Sequence, residues 1–213
     1  VRRDVVEALG SPVGLGKESD VYDAKGNKGS KIALKFHRLG RISFRQTRRT
    51  RGYVAERSHT SWIYQSRMAA TREFAALRRA RRAGVPVPKP IGQNRHLVAM
   101  GMFEGSELSK TIPLSHPEKV LRRVLLKLRR LFCNAHLVHG DLSEYNVLMT
   151  ESGEFAFIDW PQSVSSEDPR AELLLTRDVS NIVNFFQKRH SAFVSVEEAL
   201  DFVRGKRRSL RRI

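Results

Sequence analysis

Residues His139-Gly140-Asp141-Leu142-Ser143-Glu144-Tyr145-Asn146 decide how this chain is read. The stretch lies between an amphipathic segment and a short apolar run, Asn146-Val147-Leu148-Met149. Asp141 and Asn146 are five residues apart. A second apolar run, Phe155-Ala156-Phe157-Ile158, ends at another acid, Asp159. Thr150-Glu151-Ser152-Gly153-Glu154 between the runs predicts a hairpin, which would return Asp159 close to Asn146. A carboxylate and an amide oxygen there suit Mg²⁺, a hard cation that prefers oxygen ligands. Asp141 is then left to orient or deprotonate a hydroxyl. The bland alternative, a polar loop with a capping Asp, explains neither the order of these groups nor the flanking strands. The pattern is that of phosphoryl transfer.

Three features upstream bear on the same chemistry. Gly14-Leu15-Gly16-Lys17-Glu18-Ser19-Asp20-Val21 lets the backbone approach a phosphate, and Ser19 adds a hydroxyl donor. Ser19 stands where G-x-G-x-x-G has its third glycine, and no Gly-Lys-Ser/Thr of a Walker loop follows. On its own this would read equally well as a hairpin turn. Ala33-Leu34-Lys35 lies in a predicted strand, so Ala33 and Lys35 share a face. The small residue leaves room for a flat base, and Lys35 can reach phosphates. Glu73 is the one acid in the helical stretch from Ser61 to Ala83. It falls on the stripe of Ala69, Ala70, Ala76, Leu77 and Ala80. A buried carboxylate needs a cation, and Lys35 is the expected partner; a local Arg such as Arg72 or Arg78 is the alternative.

Composition bounds the rest. The chain has 213 residues, 39 Lys+Arg against 22 Asp+Glu, and a formal net charge of +17. Such an excess calls for an acidic partner, nucleic acid or a nucleoprotein particle first and an anionic membrane second. Cys133 is the single cysteine, so no internal disulfide forms and a reducing, cytoplasmic setting is expected. No stretch approaches the about 18 apolar residues of a membrane span. Residues 37–60 hold seven arginines and one acid, Glu56, and are read as a mobile basic loop. Val85-Pro86-Val87-Pro88-Lys89-Pro90 must be extended. A strand is expected over 96–102. Leu121, Val124, Leu125, Leu128, Leu131, Phe132 and Ala135 repeat at helical spacing after Pro117, and residues from Ala171 onward read as mainly helical. The fold class is therefore α+β, a small antiparallel sheet lobe (11–102) joined to a mainly helical lobe (103–213). Residues 1–10 are read as a linker.

Together these features resemble the protein-kinase-like fold, and more specifically the RIO family of atypical serine/threonine kinases. The resemblance rests on Gly16-Lys17-Glu18-Ser19-Asp20-Val21, on Leu34-Lys35-Phe36-His37-Arg38-Leu39-Gly40-Arg41, on Ser43-Phe44-Arg45 and on the His139–Asn146 stretch. Pro86-Val87-Pro88-Lys89-Pro90 and Ile158-Asp159-Trp160-Pro161-Gln162 look like its type-two subfamily. Coverage runs from about Ser11 to about Arg189. The resemblance implies ATP and Mg²⁺, with Mn²⁺ as a substitute, as cofactors. It implies that Lys35 binds phosphates and pairs with Glu73, that Asp141 is the catalytic aspartate, and that Asn146 and Asp159 hold the metal. Gly14, Gly16, Lys17, Glu18 and Ser19 would line the phosphates, and Met100, Met102 and Phe103 the adenine. Gly101 stands where related sequences often have an acid. A phospho-aspartate on the metal-loop acid has been proposed in this family, and Asp159 is that acid here. The type-two subfamily usually carries an N-terminal winged helix, which this sequence does not include. The partners implied are the pre-ribosomal small subunit and its rRNA, and a protein substrate or the chain itself, with no membrane.

Two other functions fit parts of the pattern. Small-molecule phosphotransferases of the aminoglycoside or choline kinase type also show His-Gly-Asp, then Asn, then Ile-Asp. The Lys17-Glu18-Ser19 loop, the proline run and the basic loop speak against them. A slow ATPase serving as a nucleotide-gated RNA-binding module would keep the same catalytic residues.

Overall fold

A computed structural model describes residues 5–16, 18–38, 62–111 and 113–210. Two compact units divide these, one of residues up to Ala75 plus Lys89–Met102, the other of Ala76–Pro88 plus the chain from Phe103 onward. Residues 76–88, which the sequence reading put with the sheet lobe, therefore group with the helical unit. Leu77, Ala80, Val85 and Val87 are buried apolar residues.

The first unit is a five-stranded antiparallel sheet in the order β1-β2-β3-β5-β4. Its strands are β1 (Val6–Leu15), β2 (Ser19–Gly26), β3 (Lys31–His37), β4 (Pro90–Asn94) and β5 (Leu97–Gly101). β1 corrects the expectation of a linker where the two overlap, at residues 6–10. Its pattern was masked by Gly10, Pro12 and Gly14, residues that ordinarily punctuate turns. Here they sit on an edge strand whose register with β2 shifts three times, and an edge tolerates proline and bulges. Gly10 is needed: a Cβ there would stand 2.3 Å from the Asp23 carboxylate.

Strand alternation sorts β3 into two faces. Ile32 and Leu34 pack with Ala24 and Ala99. Ala33, Lys35 and His37 point the other way and are also buried. The helix α1 (Trp62–Arg82) buries Ser66, Ala70, Glu73, Leu77 and Ala80, a stripe at helical spacing. It stops where Gly84 takes φ +72° and Val85 N–H reaches back to the Ala80 carbonyl.

In the second unit, α2 (Pro117–Cys133) starts with Pro in its first turn and buries Leu121, Val124, Leu125, Leu128 and Leu131. It packs with α3 (Ala171–His190) and α4 (Val196–Val203). The small sheet β6-β8-β9 comprises Ser106–Glu107, Val147–Met149 and Phe155–Phe157, and β7 (Leu137–Val138) pairs with β10 (Val164–Ser165). No helix among the described residues is long and apolar enough to cross a membrane.

Candidate active site

In the first unit, β3 and α1 bring three ionisable side chains together. Lys35 Nζ lies 2.7 Å from Glu73 Oε1, and both residues are at least 95% buried. His37 Nε2 lies 2.7 Å from the other carboxylate oxygen. Burial alone would raise the pKa of Glu73. The Lys35 charge and the His37 contact outweigh it and bring the pKa down to about 2. His37 was expected at the head of a mobile loop; it instead closes β3, its N–H bonded to the His96 carbonyl. The signal that would have found it is strand alternation, which carries the inward face of Ala33 and Lys35 on to residue 37. Arg38 follows, forked onto the Asp20 carboxylate at 2.7 and 2.5 Å. The remainder of the basic loop, residues 39–60, lies outside the described residues, as does Lys17.

The other glycine-loop residues join β1 to β2. Gly14 pairs with Val21, and Gly16 N–H donates to the Ser19 carbonyl at 2.9 Å. The Glu18 carbonyl accepts from Arg38 N–H, and Ser19 lies opposite His37. Met100 is buried in β5. Gly101 and Met102 donate their N–H groups to the carbonyls of Lys89 and Lys31. Adenine would therefore need other main-chain groups of this stretch. Phe103 belongs to the second unit.

In the second unit, two bonds tie the loop from His139 to Asn146 to the turn at Asp159, and a third braces the loop itself. Ile158 N–H donates to the Asn146 carbonyl at 3.0 Å, extending the pairing of Val147 with Phe157. His139 Nε2 donates to the Ile158 carbonyl at 2.9 Å, with its ring against Trp160. Asn146 Nδ2 donates to the Asp141 carbonyl at 2.7 Å. That bond fixes the amide and leaves Oδ1 as its cation-binding atom. Asp159 has φ +66°, a left-handed conformation that costs a non-glycine residue of order 1–3 kcal/mol. It holds because the residues on either side are pinned. The Asp141 carboxyl is pushed above its usual range by burial and by the Asp159 charge, with Arg177 opposing. Asp141 and Asp159 are thus near enough to interact. No group of three or more His, Cys, Asp or Glu side chains among the described residues could hold a metal. The Asp159 carboxylate and the Asn146 amide oxygen fit a cation that keeps several waters, which is the habit of Mg²⁺.

The sequence reading missed what supports this loop. Asp178 of α3, fully buried, accepts from Gly140 N–H at 2.8 Å and Leu142 N–H at 2.9 Å. Arg177 donates to the Gly140 carbonyl and stands 3.7 Å from Asp141 Oδ1. Asn181 Nδ2 donates to the Leu142 carbonyl at 3.0 Å. Burial raises the Asp178 pKa to about 7 against the pull of its two N–H donors. Gly140 is forced: its φ is +82°, and a Cβ would meet the Gln162 carbonyl oxygen at 2.5 Å.

An antiparallel sheet unit with a buried Lys–Glu pair, followed by a helical unit with an Asp–Asn–Asp loop pair, defines the protein-kinase-like class. Within that class the chain belongs to the RIO-domain family, which matches residues 20–199. It is 40% identical over 189 residues to Serine/threonine-protein kinase rio2 of Dictyostelium discoideum, covering 89% of this chain and 36% of that protein. It is 40% identical over 193 residues to RIO-type serine/threonine-protein kinase Rio2 of Methanocaldococcus jannaschii, covering 88% of this chain and 71% of that one. The solved Rio2 kinase–ADP/Mg²⁺–phosphoaspartate complex from Chaetomium thermophilum superposes with a TM-score of 0.75 at 36% identity, over 92% of this chain and 61% of that one. The chain thus spans from about a third to about 70% of the length of these relatives.

Proposed function

We propose that this chain carries out ATP-dependent phosphoryl transfer as an atypical serine/threonine kinase, an ATPase, or both. The observation that carries the reading is the strained Asp159 held beside Asp141 and Asn146 by the His139–Ile158 and Asn146–Ile158 bonds. Strain of this kind persists where a site over-determines it. The structure with Mg²⁺ and a phosphoaspartate in its name is that of a relative at 36% identity, and supports the same chemistry here.

In this reading Lys35 binds the ATP phosphates and Glu73 fixes its ammonium. Asn146 Oδ1 and the Asp159 carboxylate would hold Mg²⁺, which would supply charge neutralisation on the phosphates. Asp141, with its raised pKa, accepts the proton of the attacking hydroxyl or water. Where Asp159 is itself the acceptor, its carboxylate oxygen bonds the γ-phosphorus as the bond to the β-phosphate oxygen breaks. ADP leaves, and water then cleaves the acyl phosphate with its proton passing to Asp141. The physiological setting we propose is cytoplasmic maturation of the small ribosomal subunit, which the +17 charge favours.

A single-turnover reaction with γ-labelled ATP and Mg²⁺ tests this. Label should enter the protein as a hydroxylamine-labile adduct in wild type and not in Asp159→Asn. Turnover unchanged in Asp159→Asn and Asp141→Asn would refute the assignment.

A further inference from the structure

The second unit has a cationic face that the candidate active site does not use. On α2, Lys119, Arg122, Arg123, Leu126 and Arg130 recur at helical spacing and are all exposed. From Lys119 to Arg130, twelve residues and eleven helical steps, the stripe is about 16 Å long. The acid of this helix, Glu118, lies at its first turn. Other cations of α2 have structural work. Lys127 Nζ holds the Gly84 carbonyl at 3.0 Å. Arg129 bonds the carbonyls of Phe202 and Arg207. Arg123 bonds the Gly153 carbonyl and lies over the Phe155 ring.

Lys119, Arg122 and Arg130 do none of this: among the described residues they have no ion pair or side-chain hydrogen bond. The same holds for Arg81 and Arg82 on the last turn of α1. That turn leads into Gly84, where a Cβ would stand 3.2 Å from an Arg130 guanidinium nitrogen. The crowding is felt at Lys127. Lys127 is held below its usual range by burial, and further by the charges of Arg130 and Arg123, with Glu154 alone opposing.

Exposed like charges that outnumber the acids near them, here Glu118 and the Glu154 that pairs with Arg123, lower stability unless an anion covers them. We propose that this face is a docking surface for the phosphate backbone of RNA, contacted by Lys119, Arg122 and Arg130 with Arg81 and Arg82 at its end. Two features choose the partner. The exposed apolar residue on the stripe is Leu126, at 38%, while the rest of the helix's apolar side is core, so nothing inserts into a bilayer. No exposed aromatic lies on the stripe, and Phe155 is buried beneath Arg123, so bases have nothing to stack on. The contact is therefore electrostatic and indifferent to sequence.

The test is binding of the full chain to a labelled RNA duplex by fluorescence anisotropy across a salt series. The triple variant Lys119→Gln/Arg122→Gln/Arg130→Gln removes cations that hold no other part of the fold. It should bind roughly tenfold to a hundredfold more weakly near physiological salt, and the slope of log K against log[salt] should flatten by about 2 to 3. Melting temperature should hold or rise, and ATP turnover should match wild type. The control Lys188→Gln/Arg189→Gln/Arg208→Gln removes the same charge from exposed positions elsewhere and should cost little. Equal losses in both triples, or an unaltered slope in the first, overturn the proposal. So does a defect confined to phosphatidylserine vesicles. Because turnover is read in parallel, failure of this surface is distinguishable from failure of the phosphoryl-transfer reading.

Discussion

Removing the carboxylate of Glu73 while leaving Lys35 in place should destabilise the first unit severely. The magnitude follows from two independent lines. Glu73 is depressed from 4.5 to about 2; at about 1.4 kcal/mol per pH unit, its surroundings as a whole, burial included, favour the ionised carboxylate by roughly 3–4 kcal/mol. Separately, breaking a buried ion pair by deleting one member costs about 3–5 kcal/mol, because the survivor is a charge without water or partner. Lys35 is 5% exposed, so Glu73→Gln should fall in that range. Removing both charges is a different matter. Lys35→Met/Glu73→Leu fills the space with apolar groups and should be close to neutral, although nucleotide affinity is lost. Urea unfolding of wild type, Lys35→Met, Glu73→Leu and the double variant at neutral pH gives the coupling, expected at about 2 kcal/mol or more and opposite in sign to the single losses.

The pH dependence has a fixed direction. A depressed carboxylate contributes stability above its unfolded pKa and loses it as pH falls through the folded one. Wild type should therefore lose the Glu73 contribution progressively from about pH 4.5 down to about 2, and Glu73→Gln should lack that component. Single substitutions each costing under about 1 kcal/mol and adding without coupling would sink the claim that this pair is buried and mutually dependent.

Three further outcomes are expected. Asp178→Ala orphans two buried N–H groups, at about 1–3 kcal/mol each, and should lower both unfolding free energy and ATP turnover. With its pKa raised to about 7, Asp178 binds a proton more tightly folded than unfolded, so its contribution declines as pH rises from 3.8 to about 7; Asp178→Asn should flatten stability over that window in a urea–pH series. Arg177 holds down the raised pKa of Asp141, so Arg177→Gln should move the acidic limb of the turnover–pH profile to higher pH. His37→Ala takes away the contact on the second Glu73 oxygen and should weaken ATP binding with less effect on the maximal rate, while His37→Gln, able to donate from its amide, restores part of it.

Glu73 and Asp178 show how far the sequence could be read. Glu73 was found by placing an isolated acid on a helix and noting that it fell among alanines and leucines. Asp178 satisfies the same test: with Ala171, Leu175, Val179, Ile182, Val183 and Phe186 it lies on the buried stripe of α3. Glu73 had an evident cation upstream. The partners of Asp178 are two backbone N–H groups, which no residue type announces. Periodicity located α2 and the β8–β9 hairpin because their burial is one-sided and regular. It failed at β1, where an edge strand admits glycine and proline, and at His37, where arginines beyond it suggested a loop although strand alternation had not ended. The candidate carboxylates Asp141 and Asp159 were thus legible from their own spacing. The scaffold that strains Asp159 and seats Gly140 was not, because main-chain atoms supply it, from residues chosen for what they exclude: at Gly140 a side chain of any kind would strike the carbonyl of Gln162.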